Sequence, residues 1–450
     1  MSGSPGDFRR NLAVAENVQH GMERPPPRLI TLNPFSCMRC FFLLGLITAL
    51  ATTTAAAQEW TRFRGANGTG LSDARTVPVQ WTESDYNWRI KLPGGGHSSP
   101  VLWGDRIFLS SADAVNFSVL CLDEKDGRLR WKKDYPHGEY ELHKFSSFAS
   151  ATCAADDERV YFTRQNGGHI FLCALKQTGE PAWEMPLGDF ASSHGSGHSP
   201  IVHGELVIIA NDQDLAGAIM AVERRTGKQV WSVPRAAGMA DYSVPCLLAQ
   251  PGKSAVLIFN TKEDGISAVD PANGKRVWST GADVLKMRSV SSPIVAGGLT
   301  FASCGSGAGG NYVIAVQPPA NGSGVATVKF DVRKSAPYVP TPIAYDGRVY
   351  LWSDGGIVTC IDPATGDQKW QERAGGNYFS SPVCVNGRLY GTTDTGEVVV
   401  LAAGDSFKVL AKNELGELTR STPAVANGKI YFRTWEHLIS LGGAKPGTVN

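Results

Sequence analysis

Histidine is the residue type of this 450-residue chain whose positions most readily suggest chemistry. Four of the nine histidines stand just ahead of similar short apolar runs, and they are His97, His143, His194 and His198. Imidazole nitrogens bind Zn²⁺ or Cu²⁺ well, and they exchange protons near neutral pH. The four side chains could therefore form one ligand or metal site if the fold brings them together. Polar, solvated loop residues are the alternative, and where a metal is concerned we favour that alternative.

Four further polar or aromatic side chains hold the same kind of position ahead of an apolar run, and they are Tyr242, Arg288, Tyr378 and Arg420. The two arginines, together with Lys144, could bind an anionic group, although charge balance with neighbouring loops is the simpler role. The sequence has no G-x-S-x-G elbow, no Walker loop and no H-E-x-x-H motif. We therefore predict no catalytic residue and no metal. The eight side chains are instead predicted to line a ligand mouth.

A repeated eleven-residue phrase indicates which elements position these side chains. It runs from a small residue, through a Thr, Asn or Asp followed by Gly, to a final Trp. The copies occupy residues 121–131, 173–183, 221–231, 268–278 and 360–370. A period of roughly forty to fifty residues in β-rich units is typical of a repeat architecture and favours a β-propeller.

Each repeat also opens with Ser-Ser-Pro or a variant of it, followed by two strands joined at a glycine turn. The openings begin at Ser98, Ala151, His198, Ser243, Ser291, Pro340, Ser380 and Ser421. With the third strand and the Trp strand, each unit has the four strands of a propeller blade. We therefore predict an all-β, eight-bladed β-propeller. Because the first strand of a blade is the innermost, the residues ahead of it should ring one mouth of the central channel.

The two ends of the repeat array predict how the ring closes. The eighth unit lacks a Trp strand, whereas Trp88 lies in a strand-like run, residues 87–93, with no blade before it. This N-terminal strand is predicted to complete the last blade. Two units depart from the phrase, since the fifth has Phe330 near the Trp position and the seventh has Val409. A seven-bladed ring is therefore the alternative count.

The phrase resembles the tryptophan-docking motif of pyrroloquinoline quinone-like (PQQ-like) β-propellers, over residues 87–442, and residues 60–70 look like the opening of secreted bacterial members. The resemblance implies that each docking Trp packs on the next blade, and the positions are Trp88, Trp131, Trp183, Trp231, Trp278 and Trp370. The family includes quinoprotein dehydrogenases, which oxidise alcohols or sugars with the quinone and usually Ca²⁺. It also includes non-catalytic scaffolds, such as the propeller of the outer-membrane β-barrel assembly machinery.

A dehydrogenase of this family would need an Asp base, an Arg and oxygen ligands for Ca²⁺, and its alcohol-oxidising members carry a vicinal disulfide. This chain has no adjacent Cys pair. Residues 211–214, Asn-Asp-Gln-Asp, could supply oxygen ligands, but a polar turn is the favoured interpretation. The prediction is therefore a non-catalytic scaffold or ligand-binding module without a cofactor. The alternative is a dehydrogenase that uses pyrroloquinoline quinone and Ca²⁺.

The N-terminal region has the order of a secretory signal peptide. Arg39 precedes the apolar residues 41–50 and the small residues 55–57. We assign residues 1–57 to an extension with a signal peptide, 58–86 to a lead-in segment and 443–450 to a tail. The propeller would then be periplasmic or secreted, without a membrane span after cleavage; an uncleaved anchor is the alternative. A protein partner in the cell envelope or a small ligand is expected.

Charge and cysteine use narrow the function further. The net charge is +1 and the repeats contain no dense Lys/Arg block, so nucleic-acid binding is not expected. Of the seven cysteines after the signal segment, Cys121, Cys173 and Cys360 stand where other repeats have Ala. They are therefore predicted to be small buried core residues, in preference to disulfide partners.

Overall fold

The computed structural model describes residues 60–236 and 238–443; the predicted signal segment and residues 444–450 of the tail lie outside this range. Its strands form eight sheets, each containing four antiparallel strands in the order of a propeller blade. The predicted all-β, eight-bladed propeller is confirmed, and the seven-bladed alternative is wrong. Among the described residues no helix is long and apolar enough to span a membrane.

The first four blades follow the repeat units in sequence. Blade 1 consists of Val101–Trp103, Arg106–Ala112, Asn116–Asp123 and Leu129–Pro136. Blade 2 consists of Ala154–Ala155, Arg159–Asn166, His169–Lys176 and Pro181–Asp189. Blade 3 consists of Ile201–His203, Leu206–Asn211, Gly217–Glu223 and Gln229–Arg235. Blade 4 consists of Cys246–Leu248, Val256–Thr261, Gly265–Val269 and Arg276–Ser279, with Gly324–Val325 added in parallel at its outer edge.

The last four blades complete the ring. Blade 5 consists of Ile294–Ala296, Leu299–Cys304, Tyr312–Gln317 and Thr327–Val332. Blade 6 consists of Ile343–Tyr345, Arg348–Trp352, Ile357–Ile361 and Gln368–Arg373. Blade 7 consists of Val383–Val385, Arg388–Thr392, Glu397–Ala402 and Val409–Glu414, with Leu71–Ser72 added in parallel at its inner edge. Blade 8 consists of Ala424–Ala426, Lys429–Arg433, His437–Gly442 and the N-terminal strand Tyr86–Lys91. Short 3-10 turns occupy Ala66–Gly68 and Glu83–Asp85.

The ring closes as the sequence predicts. Tyr86–Lys91 pairs antiparallel with His437–Gly442, with Trp88 opposite Ser440. Blade 8 is therefore assembled from both ends of the propeller, and the edge of its third strand is paired with the N-terminal strand. This pairing explains why the eighth repeat has no Trp strand of its own.

The docking tryptophans lie at the blade junctions. Five of them donate the indole N–H to a backbone carbonyl near the turn of the next blade, over 2.8–3.3 Å, and these are Trp88, Trp131, Trp183, Trp231 and Trp370. The glycine of that turn lies directly against the ring: a Cβ on Gly274 would stand 2.7 Å from Trp231. Phe330 takes the same place against Gly366, so the fifth unit keeps the contact without a Trp. Trp278 is buried and pairs with Gly324 on the added strand of blade 4.

A ring of hydrogen bonds joins the innermost strands. In seven of the eight openings the middle residue is Ser or Thr, and its hydroxyl oxygen accepts a backbone N–H from the preceding blade over 2.9–3.2 Å. These hydroxyls belong to Ser99, Thr152, Ser199, Ser292, Thr341, Ser381 and Thr422. We call them the hydroxyl ring. The eighth opening has Val244 at this position, which has no hydroxyl.

The lead-in residues 60–72, called the plug segment below, lie across the channel beyond the hydroxyl ring. The carbonyls of Trp60, Thr61 and Gly70 accept N–H groups from the first strands of blades 1, 2 and 7, each at 2.8 Å. Asn67 of the segment also exchanges hydrogen bonds with the backbone of Leu247 in blade 4, at 2.9 and 2.6 Å. Because blades 1, 4 and 7 surround the axis, the segment spans the channel. It therefore covers the end opposite to the mouth.

Two buried arginines fasten the plug segment to the other blades. Arg62 donates to the carbonyl of Pro245 at 2.6 Å, ahead of blade 4. Arg64 donates to the carbonyls of Pro342 at 3.0 Å and Pro382 at 3.4 Å, ahead of blades 6 and 7. Burial lowers the pKa of Arg62 to about 10, and burial together with the charge of Arg62 lowers the pKa of Arg64 to about 9.

Candidate functional site

Strand direction places all the candidate residues at one face of the propeller. Each first strand runs away from the mouth, so the antiparallel second strand returns to it, and the fourth strand returns again. The mouth face therefore consists of two sets of loops: those between the second and third strands, and those that lead from one blade into the next. The other face has the hairpin turns and the plug segment.

A cavity of about 920 Å³ occupies the mouth. Six of the eight predicted side chains line it, and they are His97, His143, His194, Tyr242, Arg288 and Arg420. The hydroxyl ring contributes to its floor through every member except Ser292, and Phe63 of the plug segment also lines it. The cavity thus reaches from the mouth loops down to the plug.

His198 and Tyr378 lie behind the wall of the cavity. The Nε2 atom of His198 lies 2.8 Å from the carbonyl oxygen of Asp212, and its ring packs against Phe190 and Tyr242. Burial lowers the pKa of His198 to about 4. The ring of Tyr378 is buried against Trp352. Both side chains are part of the protein interior, so a ligand in the cavity would not touch them directly.

Arg288 and two histidines form one wall. The His143 and His194 rings stack with their centroids 4.8 Å apart. The Arg288 Nη1 atom lies 3.1 Å from His194 Nε2 and 3.2 Å from His194 Nδ1. A guanidinium can only donate hydrogen bonds. A neutral His194 has a ring nitrogen that can accept one, and it does not place a second cation beside Arg288.

Arg420 lies against two aromatic rings that contact each other. Its guanidinium carbon is 4.7 Å from the centroid of Phe145 and 5.2 Å from that of Phe379. The two phenylalanine rings are themselves 5.1 Å apart. Arg420 Nη1 also lies 3.3 Å from His97 Nε2. This arrangement holds the cation by cation–π contacts and a neutral imidazole.

Two histidines of the cavity, His97 and His194, are neutral at physiological pH. Burial, followed by the charges of Arg420 and Arg433, lowers the pKa of His97 to about 3. Burial, followed by the charge of Arg288, lowers the pKa of His194 to about 4. In the part of the chain that the structure describes, no group of three or more His, Cys, Asp or Glu side chains is placed to hold a metal ion.

The loop that carries His143 contacts a distant blade, which the sequence did not suggest. Residues 137–150, called the crossing loop, lead from blade 1 into blade 2. Phe145 on this loop contacts Phe379, which precedes blade 7, and Lys144 lies 4.9 Å from the Phe145 ring. The crossing loop therefore extends over part of the mouth and narrows the entrance to the cavity.

The sequence prediction missed several lining residues. It considered only residues that follow the fourth strand of one blade and precede the next, whereas these residues follow the second strand of a blade. Lys262, Asp354 and Asp394 come from such loops. In the sequence, Asp354 and Asp394 have the pattern of turn residues next to glycine. The Asp354 carboxylate does serve the local backbone, since it accepts the N–H groups of Tyr338 at 2.7 Å and Val339 at 3.1 Å.

The oxygen-rich residues 211–214 do not fit a calcium ion. Asp212 lies 3.2 Å from Arg235 and is buried. The side chain of Gln213 accepts from the N–H of Ala191 and donates to the carbonyl of Asp189, and Asp214 accepts the N–H of Ala240. The side chains of Asp212, Gln213 and Asp214 are thus already engaged by the polypeptide, so this segment is a polar turn.

Seven cysteines lie within the described residues, and all of them are unpaired and buried. Burial is the largest cause that raises the pKa of Cys121 to about 12 and of Cys360 to about 11. Their thiols are therefore protonated at neutral pH, which is the state of a structural rather than a reactive cysteine.

Comparison with known proteins agrees with this architecture. The chain is 26% identical, over 245 residues, to the outer membrane protein assembly factor BamB of Burkholderia pseudomallei (strain K96243). That alignment covers 53% of this chain and 57% of the relative, so the chain matches little more than half of the relative's length. The solved structure of BamB from Moraxella catarrhalis superposes with a TM-score of 0.56 at 16% identity, over 81% of this chain and 98% of that one.

Quinoprotein enzymes share the fold as well. The quinohemoprotein alcohol dehydrogenase from Comamonas testosteroni superposes with a TM-score of 0.58 at 14% identity, over 88% of this chain and 83% of that one. Such identities show a common fold and no more. The sequence family described as outer membrane protein assembly factor BamB matches residues 74–170, 117–372 and 309–434. These matches span nearly the whole ring, and the chain therefore belongs to the BamB family of PQQ-like β-propellers.

Proposed function

We propose that this protein is an exported, non-catalytic propeller that acts as a protein-interaction scaffold in the cell envelope. Membership of a family named for an assembly factor supports a scaffold role. Residues 1–57 would be the extension and signal peptide, 58–86 the lead-in and 87–442 the working propeller. On this proposal the periplasm, or the outside of the cell, is where the partner is met.

The mouth face is the surface that best supports partner binding. Four of the large apolar side chains exposed in the described residues lie on its loops, and they are Val115, Phe145, Leu215 and Leu418. Contiguous exposed apolar patches mark protein-interaction sites, and we propose that these four side chains contribute to such a patch. The four come from the loops of blades 1 and 3 and from those that lead into blades 2 and 8. This is the observation that carries the proposal.

Two matched pairs of substitutions test it. Leu215→Asp with Leu418→Asp alters the mouth face, where the side chains are 46% and 45% exposed. Leu129→Asp with Val230→Asp alters outer strands, where they are 43% and 46% exposed. Tagged proteins would be cross-linked in native cells and purified from envelope extract. We expect the parent and the outer-strand variant to capture the same partner in similar amounts. The mouth variant should bind it at least about tenfold more weakly, which corresponds to about 1.4 kcal/mol of binding free energy.

Equal capture by both variants would place the partner elsewhere and overturn the assignment of the mouth. Failure of the parent protein to capture any specific partner would overturn the scaffold proposal itself. Each variant's thermal midpoint serves as the folding control, because exposed positions of this kind usually change stability by less than about 0.5 kcal/mol.

The dehydrogenase alternative gains no support from the donors around the cavity. Ca²⁺ prefers six to eight oxygen ligands, several of them carboxylates. The two carboxylates that line the cavity belong to different blades, and that of Asp354 is engaged by two backbone N–H groups. The residues present do not fit the calcium ion that quinone chemistry of this family usually requires.

A further inference from the structure

The cavity at the mouth has more positive than negative side chains. Lys262, Lys286, Arg288 and Arg420 line it, against two carboxylates, Asp354 and Asp394. Asp354 is committed to the backbone, as described above. Two of the lining histidines, His97 and His194, are neutral at physiological pH, so the excess of cationic groups comes from the lysines and arginines.

The two arginines of the cavity differ from several other partly buried arginines of the propeller. Arg130, Arg224 and Arg348 each meet two or three carboxylates. Within the described residues, neither Arg288 nor Arg420 forms a salt bridge. The Nε atom of each is also buried without a hydrogen-bond partner. A guanidinium in this state is a ready site for an oxyanion.

The floor of the cavity adds a second set of donors. Each hydroxyl-ring oxygen accepts a backbone N–H, so its own O–H is the group left to donate. In the part of the chain described by the structure, none of the seven donates that proton to a protein acceptor. Six of these hydroxyls line the cavity. A floor of hydroxyl donors beneath two cations suits a ligand rich in acceptor oxygens.

The dimensions of the cavity select a small ligand. The plug segment covers the far end, where Phe63 lines the cavity, so a ligand enters from the mouth. The contact between Phe145 and Phe379 narrows that entrance. The aromatic residues Phe145, Phe379 and Tyr242 also line the cavity. A cavity of this volume, open at one end, has the size of a small-molecule site.

We propose that the mouth cavity binds a small organic oxyanion, with its carboxylate, sulfate or phosphate group between Arg288 and Arg420. The apolar part of the ligand would lie against the aromatic rings, and further oxygens would accept from the hydroxyl ring. The proposal rests on the proposed function in one respect, since both treat the mouth as a binding face. It adds a ligand class that partner binding alone does not require.

Calorimetric titration of the purified protein tests this site. The probes are glucuronate for a carboxylate, glucose 6-sulfate for a sulfate and glucose 6-phosphate for a phosphate, with glucose as the neutral control. We expect at least one of the three to bind, glucose to give no heat of binding, and added salt to weaken the affinity. The three probes share a sugar ring, so the comparison among them identifies the preferred anionic group.

Substitutions then locate the binding. Arg288→Gln and Arg420→Gln should each weaken the best probe by about tenfold or more, because a charge-assisted bond is lost. Arg276→Gln on an outer strand, where the side chain is 59% exposed, is the matched control and should leave affinity unchanged. Thermal midpoints measured without ligand show whether each variant folds.

The outcomes separate this proposal from the scaffold proposal. No binding of any of the three probes, or unchanged affinity in both arginine variants, would overturn the oxyanion site. If partner capture persisted in that case, the scaffold role would stand alone. Conversely, oxyanion binding in a protein that captures no partner would overturn the scaffold role and leave this site intact.

Discussion

Replacing Trp231 with alanine is expected to lower the free energy of unfolding by about 3–5 kcal/mol. The ring is 7% exposed, lies against Gly274 of the next blade and donates its indole N–H to the carbonyl of Pro271 at 2.9 Å. Truncation would leave a cavity at the junction of blades 3 and 4, and it would leave the Pro271 carbonyl without its indole donor. The rigid turn at Gly274 cannot collapse into the space, because its backbone is held by the hairpin of blade 4.

Equilibrium urea denaturation compares the variant with the parent. Val230→Ala is the matched control, since that neighbouring side chain is 46% exposed and should change stability by less than about 0.5 kcal/mol. Trp231→Phe should lie between the two, because it keeps a ring but loses the indole donor. A Trp231→Ala protein with the parent's unfolding midpoint would show that this junction is not fixed by the docking ring.

Replacing Arg64 with alanine is expected to destabilise the propeller by about 2–4 kcal/mol. The side chain is fully buried, and it joins the plug segment to the carbonyls of Pro342 and Pro382. Removal of the buried charge relieves a desolvation penalty, which is the cause of the lowered Arg64 pKa. The loss of the long stem and of the bonds outweighs that relief, because alanine fills none of the vacated space.

Arg64→Met separates the contribution of side-chain packing from that of the charge and its hydrogen bonds, since it restores the packing volume alone. It should cost less than Arg64→Ala. Arg75→Ala is the control, as that side chain is exposed and lies close by in the lead-in. Limited proteolysis followed by mass spectrometry gives a second readout: cleavage within residues 60–72 should accelerate in Arg64→Ala alone. Equal stability and equal proteolysis in all three variants would refute the fastening role of Arg64.

Much of the fold follows from local sequence patterns. Eight Ser-x-Pro-like openings predict eight innermost strands, and the isolated Trp88 strand predicts the closure that pairs it with Ser440. Such features repeat at fixed spacing, so each copy confirms the others. Even the irregular fifth unit kept its junction, because Phe330 could replace a Trp against Gly366.

The site was less accessible to sequence reasoning because its contacts are long-range. Nothing in residues 137–150 indicates that Phe145 reaches Phe379, which is more than two hundred positions later. His198 stands ahead of a first strand like His97, yet its ring turns into the interior towards the Asp212 carbonyl. The plug segment likewise depends on acceptors contributed by several blades.

The hydroxyl ring is an intermediate case. Its members are the middle residues of the openings, so the sequence contained the signal in a regular position. Their role is visible only in the closed ring, where each hydroxyl accepts a backbone N–H from the preceding blade. The same geometry turns the O–H groups into the floor of the cavity.

A dye-linked oxidation assay tests most directly the proposed function, that of a propeller that binds and does not catalyse. Purified protein would be supplied with pyrroloquinoline quinone and Ca²⁺, then offered alcohols and sugars with an electron-accepting dye. We predict dye reduction no faster than in a blank with quinone, Ca²⁺ and no protein. Substrate-dependent dye reduction that requires the protein together with the quinone would contradict the account.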